Sequence, residues 1–297
     1  MKLYKATITP KSNFATPLKG DTIFGQLCWV IRYVYGNDKL DELLSDYSST
    51  PFMIVSDAFV NNYLPKPSLP SFLLGEDGDK KKENRKKTWL NIDDLQNGNF
   101  TNAKRSDEIG YKVKKESIVK NSINYKSFKT GAEGFDPYAE DEIGLPNSLD
   151  IYFCLNETVF SLENLKESLK TLGEMGYGKN ATIGKGRFEV EDIKEIKLQK
   201  RVSTTFMALS PLSLQNIKAK EIYYTVFTRF GKHGGDLANN SPFKKPILLA
   251  DTSAVLLFDE EKELDFVGSA ITSHSKHTET IHQGYSILLP IKEISNE

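Results

Sequence analysis

Two segments with the apolar spacing of a helix, residues 23–35 and 160–172, are each bracketed by short runs of strand-like character. The flanking runs are residues 3–9 and 52–60 for the first helix, and 149–155 and 183–190 for the second. Strand, helix, strand, written twice, is the order of a ferredoxin-like βαββαβ unit. Local signals agree with it. Asp21 or Thr22 can cap the first helix and Gly36 can end it, while Ser161 can cap the second and Gly173 can stop it.

The chain has 297 residues, enough for two domains or one large one. Beyond a charged stretch at 194–201, strand-like runs recur at 201–209, 222–230, 247–258 and 285–290, with only weak helix signals. The expected fold class is therefore α+β, with an N-terminal ferredoxin-like domain over 1–196 and a more degenerate second half over 197–297. Residues 75–140 read as an insertion, within which 118–135 suits a protruding hairpin turned through Lys129-Thr130-Gly131.

Net charge is only −1, which excludes a simple polybasic nucleic-acid binder, but the charges are in blocks. Residues 80–129 hold 14 Lys and Arg against 6 acids, and residues 131–150 hold acids and no bases. Such blocks let one face meet phosphate while another stays solvated or meets a protein. A bland solvated loop accounts for the same run. Cys28 and Cys154 sit in apolar contexts outside any metal-ligand spacing, so they are expected to be buried thiols in a reducing compartment. No cofactor or metal is implied. The N-terminus lacks the apolar core of a signal peptide, and charges interrupt the apolar runs, so no membrane span and a cytoplasmic location are expected.

The most informative segment runs from Gly173 through Gly176, Gly178, Lys179, Gly184, Lys185, Gly186 and Arg187 to Phe188. It holds five glycines and three cations between a predicted helix and a predicted strand. Successive N–H groups in such a loop can form an anion-holding nest, and the cations add charge-assisted bonds to phosphate. Gly173 to Lys179 has the GxxxxGK spacing of a P-loop, but Asn180 stands where Ser or Thr would hold magnesium. The order is also reversed, since a P-loop follows a strand and opens a helix. The dinucleotide fingerprint fails on the same order.

At this loop the sequence resembles the RAMP superfamily of CRISPR proteins, and more narrowly subunit four of the type III-A (Csm) effector complex. Several features agree in order: Lys19-Gly20-Asp21-Thr22 opening the first helix, Tyr63-Leu64-Pro65-Lys66-Pro67 after the second strand, the glycine loop, and Gly268-Ser269-Ala270 before the last strand. The resemblance implies two RRM-like halves and a non-catalytic subunit that binds the 5′ handle of the CRISPR RNA. It further implies contact with the large polymerase/nuclease subunit and a backbone RAMP subunit. A thumb at 119–138 would lie near the guide–target RNA duplex.

Candidate RNA contacts follow from both readings. Lys19, Gly20, Asp21 and Thr22 open a helix, where free N–H groups can hold phosphate. Asn121, Ser122, Lys126 and Lys129 suit a thumb on a backbone, with Tyr125 and Phe128 able to stack. Gly176, Gly178, Lys179, Gly184, Lys185, Gly186 and Arg187 form the loop. Arg229, Lys232, Lys244 and Lys245 flank a second glycine-containing loop, and His274, Lys276 and His277 offer donors to phosphate or base edges. Two alternatives stand beside RNA holding: a RAMP endoribonuclease acting on precursor RNA through the C-terminal histidines, and a structural subunit with no RNA contact. The first helix itself carries no histidine.

Overall fold

The computed structural model describes residues 1–121, 123–124, 126–128, 130, 137–146, 148–198, 201–238 and 242–294. The chain begins with β1 (Lys2–Pro10), α1 (Gly20–Tyr35), α2 (Asn37–Ser45) and β2 (Met53–Val60). It then passes through β3 (Tyr63–Pro65), α3 (Lys81–Asn84), β4 (Lys87–Asn91), α4 (Ile92–Asn97), β5 (Lys104–Arg105), β6 (Lys114–Lys120) and β7 (Tyr138–Gly144). The strand β8 (Leu149–Leu155), the helix α5 (Leu162–Met175) and β9 (Phe188–Glu195) follow. Strands β2, β8, β1 and β9 pair antiparallel in that order, which is the ferredoxin-like arrangement read from the sequence.

Burial explains the arrangement. All seven residues of β8 are buried, as befits an inner strand covered on both faces. The helix α1 buries Ile23, Phe24, Leu27, Val30 and Ile31, and α5 buries Leu165, Leu169 and Leu172, each set at helical spacing on one side. Ser161 caps α5 by accepting from the Asn164 N–H at 3.2 Å.

The second half supplies β10 (Val202–Ala208), β11 (Glu221–Tyr223), β12 (Val226–Arg229), β13 (Ile247–Ala250), β14 (Val255–Glu263), β15 (Phe266–Gly268) and β16 (Tyr285–Pro290). Its main sheet has the order β11-β14-β10-β16-β15, so the first four strands repeat the order of the first sheet. Among the described residues no α-helix lies beyond Met175; loops and the β12–β13 ribbon take the place of helices. Met207, Leu209, Tyr285 and Ile287 nevertheless share one buried core with the first half.

The halves interlock at a break in β2. The β2–β8 register shifts between Val55 and Ala58, which leaves backbone groups without ladder partners. The second half takes three backbone groups at this place, one from Asp57 and two from Val55. The Asp57 N–H donates to Leu209 O at 2.9 Å, and the buried Gln283 amide bridges Val55, accepting at 2.9 Å and donating at 2.8 Å. Ser56 fills the break on the β8 side by accepting from the Tyr152 N–H.

Several sequence expectations move. The helix α1 starts at Gly20, with Lys19 as its N-cap, and neither Asp21 nor Thr22 caps it. Gly173 does not stop α5. It lies where the helix passes close to β9, and a Cβ there would meet Phe188 O at 2.3 Å. Gly176, at φ 94°, takes the C-cap instead. The strand expected at 183–190 is shifted to Phe188–Glu195, because residues 181–183 form a 3₁₀ turn. Much of the insertion is packed: Leu90, Leu95 and Phe100 enter the main core, and β3, β4 and β5 form a small sheet. The protruding hairpin exists, but its paired strands are β6 and β7, with Lys114 opposite Gly144 and Lys120 opposite Tyr138. Lys129 and Gly131, in its expected turn, lie outside the described residues.

Gly20 and Gly25 give a paired test of the interlock. A Cβ at Gly20 would meet Val55 O at 2.3 Å and Ser210 Cβ at 2.9 Å, whereas one at Gly25 meets nothing within 4 Å. Gly20→Ala should therefore destabilise the chain by roughly 1–3 kcal/mol through overpacking. Gly25→Ala should stabilise it by about 0.5–1 kcal/mol through helix propensity. Denaturant unfolding of both variants checks the pair.

Candidate nucleic-acid interface

Between α1 and the loops of the second half lies a cleft of about 710 Å³. Its walls come from four places in the sequence. Thr22, Cys28 and Trp29 belong to α1, and Gly178 and Lys179 to the glycine loop. Arg229, Lys232, His233 and Lys244 belong to the loop around β12 and β13, and His274, Thr280 and His282 to the loop before β16. The fold thus brings members of three candidate groups, Asp21 and Thr22, Gly178 and Lys179, and Arg229, Lys232 and Lys244, together with His274 around one concavity, while Lys185, Arg187, Lys245, Lys276, His277 and the thumb residues do not line it.

The Lys19–Thr22 motif builds the cleft from beneath. Asp57, projected from the break in β2, accepts from the Gly20 N–H at 2.8 Å and so holds the helix start from within. Lys19 Nζ lies 3.0 Å from Asp57 and 2.7 Å from Asp251, tying α1 to the second half, and Thr252 Oγ1 donates to Asp57 at 2.5 Å. Burial pushes the Asp57 carboxyl above its ordinary value, opposed by the Lys19 charge. Asp21 is buried and accepts both arms of Arg229, at 2.6 and 2.7 Å. The groups expected here to hold phosphate are therefore occupied within the protein. The role of Lys19, Gly20, Asp21 and Arg229 that the geometry displays is to join the halves.

The glycine loop is likewise more structured than its sequence suggests. The N–H groups of Tyr177, Lys179, Ile183, Gly184, Lys185, Gly186 and Arg187 all donate to protein acceptors, so these seven do not form the expected open nest. A Cβ at Gly178 would meet Thr16 at 2.6 Å and one at Gly186 would meet Tyr177 O at 2.1 Å, so both glycines serve close packing and positive φ. The acidic block folds onto the loop. Glu142 pairs with Lys185 at 2.5 Å, and Glu140 pairs with Lys120 at 2.6 Å and Lys179 at 3.2 Å. The hydrogen bond from Lys120 leads the effects that hold the Glu140 carboxyl down at about 2. The expected separation of a basic face from an acidic one is thus partly cancelled by pairing across β7. Lys179 and Arg187 remain exposed.

At the rim of the cleft Lys232 is exposed and lies 4.8 Å from the centre of the exposed Phe243 ring. Phe230, 75% exposed, adds a second aromatic face. Lys245 is exposed while its N–H donates to His274 O at 2.7 Å. Lys276 is exposed and His277 half-buried, 3.7 Å from Glu279. Lys244 is half-buried inside the cleft, and burial lowers its ammonium pKa. On the thumb, Asn121 and Lys126 are exposed and Phe128 is 81% exposed; Ser122, Tyr125 and Lys129 lie outside the described residues.

Both thiols are free; Cys154 is buried, whereas Cys28 is partly open at the cleft and is pushed up to about 12 by burial. Among the described residues no group of three potential metal ligands assembles. No helix there is long and apolar enough to cross a membrane. Sequence reasoning missed Trp29, Asp57, Thr280 and His282. None carries a local signal, since each acquires its place only when the halves dock.

No protein-family model and no curated protein matches the sequence. Solved structures do match the fold. A chain of the Csm1-Csm4 cassette in complex with AMPPNP superposes with a TM-score of 0.63 at 17% identity, covering 100% of both chains. A chain of the same cassette in complex with cA4 gives 0.64 at 17%, covering 99% of this chain and 100% of that one. A chain of the Csm3-Csm4 subcomplex in the type III-A CRISPR-Cas interference complex gives 0.60 at 15%, with the same coverage. The fold, two ferredoxin-like sheets packed on one core, is thus the fold of chains in these Csm assemblies, and the resemblance read from the sequence holds at the level of fold.

The histidines of the cleft give a pH signature. His274 and His282 are both pushed down to about 4, chiefly by burial and further by Lys244; Asp21, 3.3 Å from His282 Nε2, opposes the shift there. Lowered folded-state values mean that the unfolded chain binds protons first as pH falls below 6.5. Stability should therefore fall between pH 6.5 and about 4. A His274→Gln, His282→Gln double variant should flatten that limb of a melting-temperature profile.

Proposed function

We propose that this chain is a non-catalytic RNA-holding subunit of a type III-A-like CRISPR effector, gripping the 5′ handle of the guide RNA. The observation that carries the reading is the convergence of lysines and exposed aromatic rings on one cleft, in a chain whose fold matches Csm assemblies over its whole length. Lys179, Lys232 and Lys245 offer salt-sensitive phosphate contacts, and Phe230 and Phe243 offer stacking faces. Single-stranded RNA is recognised by this combination of backbone charge and base stacking.

The partners follow from the neighbours, which assemble with Csm1 and with Csm3. The proposed partners are accordingly a large polymerase/nuclease subunit and a backbone RAMP subunit, with this chain bridging them in the cytoplasm. The thumb, whose Val119, Ile123 and Phe128 stand exposed, is proposed to reach the target RNA near the guide–target duplex.

One observation favours the endoribonuclease reading: His274 and His282 do meet in the cleft, with ring centres 5.6 Å apart. Metal-free cleavage needs a general acid as well as a base. With both histidines at about 4, neither is in the imidazolium form that serves as a general acid at neutral pH. Purified chain incubated with precursor repeat RNA should leave it intact. Specific cleavage abolished by His274→Ala would establish the enzyme instead.

The grip itself is tested by salt titration. Lys179→Ala with Lys232→Ala should weaken binding of single-stranded handle RNA and lower the slope of log K against log salt by about 0.7 for each phosphate no longer neutralised. Unchanged affinity and slope would remove these lysines from the interface.

A further inference from the structure

The base of the thumb is pinned to the glycine loop by charge. Glu140 and Glu142 flank Asp141 on β7, so they share one face of the hairpin, roughly 6.6–6.8 Å apart along the strand. Glu142 Oε2 takes Lys185 Nζ at 2.5 Å and the Asn13 amide at 3.2 Å. Glu140 Oε2 accepts from Lys120 Nζ at 2.6 Å and from the Asn180 amide at 2.8 Å, and its Oε1 lies 3.2 Å from Lys179 Nζ. Three ammoniums and two amide NH2 groups, donors all, thus converge on two anions. A sugar–phosphate backbone is met by the same kind of donor set. We infer that Glu140 is a resident phosphate mimic: it occupies Lys179 in the RNA-free chain, and a bound strand that takes this lysine displaces the carboxylate and loosens the thumb from the glycine loop. The inference rests on the RNA-holding reading and adds to it a contact that restrains binding.

Exposure gives the two carboxylates different parts. The Lys179 side chain is 62% exposed, so its pair with Glu140 is open to solvent, whereas Lys185 is 22% exposed and covers a Glu142 side chain with no exposed surface. Glu142 is the anchor and Glu140 the competitor, since a solvent-facing lysine–carboxylate pair is weak enough for another anion to replace. Release of Glu140 does not strand a cation. Glu142 Oε1 is buried without a hydrogen-bond partner among the described residues, and Lys120 Nζ stands 3.5 Å from it. When Glu140 leaves, Lys120 can turn to that oxygen and satisfy it. Below this point the hairpin stays attached, because Phe14 and Ile143 exchange backbone hydrogen bonds at 2.9 and 2.7 Å. The part that is freed therefore lies beyond Glu142. The hydrogen bond from Lys120, followed by that from Asn180, holds the Glu140 carboxyl down at about 2, so it is ionised at physiological pH. Competition by an anion, and not protonation, opens the contact.

Glu140→Gln keeps the shape of the side chain and removes its charge. The full chain is titrated with a short single-stranded RNA carrying the handle, and affinity is read by fluorescence anisotropy. Glu140→Gln should tighten binding about two- to fivefold, the scale of one solvent-facing ion pair, and steepen the slope of log K against log salt by about 0.7 for the one released lysine. Asp141→Asn removes the same charge from the exposed opposite face of β7 and should change neither measurably. In a Lys179→Ala background, Glu140→Gln should bring no gain. Without RNA, Glu140→Gln should also speed amide hydrogen exchange in β6 and β7 relative to Asp141→Asn. No gain in Glu140→Gln, or an equal gain in Asp141→Asn, overturns the phosphate mimic while leaving RNA holding intact. Unchanged exchange in β6 and β7 overturns its hold on the thumb. If neither the unaltered chain nor Glu140→Gln binds RNA, the RNA-holding reading falls, and the mimic with it.

Discussion

The break in β2 at Ser56 and Asp57 is the constraint on which the molecule turns. As an edge strand β2 pairs with β8 on one side and leaves its outer backbone groups open to the second half, where Leu209 and Gln283 take them up. The register shift falls at Ser56 and Asp57, and the Asp57 carboxylate there accepts from the start of α1. From that carboxylate the connections spread to Lys19, Thr252 and Asp251. At the next residue after Gly20, Asp21 holds Arg229. Removing one partner from a buried ion pair costs about 3–5 kcal/mol, far more than the pair adds over apolar packing, so these charges act as register pins between the halves. The cleft is the space they leave above α1.

Charge is sorted by pairing before it is available for binding. The acidic block on β7 neutralises Lys120, Lys179 and Lys185 in part, and the helix-opening Lys19 is consumed in the interlock. What remains at the cleft is a smaller set of lysines beside exposed aromatic rings, with neutral histidines beneath. That arrangement suits a protein whose net charge is close to zero yet which is proposed to hold a polyanion, since local cations can draw a strand to the cleft without a net positive chain.

The alternation of strands and helices was legible because it depends on local periodicity; the paired helices 23–35 and 160–172 led directly to the observed sheet order. The second half was legible as strands only, and it contains no α-helix among its described residues. The glycine loop was found by composition, but the packing of its glycines was not legible there. Five glycines looked like an open nest, whereas Gly173, Gly178 and Gly186 answer to Phe188, Thr16 and Tyr177, neighbours brought in by the fold. The internal partners of the Lys19–Thr22 motif were illegible for the same reason, since Asp57 and Arg229 are 37 and 208 residues away from their partners Gly20 and Asp21. The cleft could not be read at all, because its four walls share no sequence neighbourhood.

The most direct measurement is ultraviolet crosslinking of the full chain to single-stranded handle RNA, followed by mapping of the crosslinked peptides. If the docked halves create the RNA site, crosslinks concentrate on residues 176–187, 229–247 and 274–282, which surround the cleft. Crosslinks confined to the outer faces of the sheets, with none in those three segments, would contradict the account.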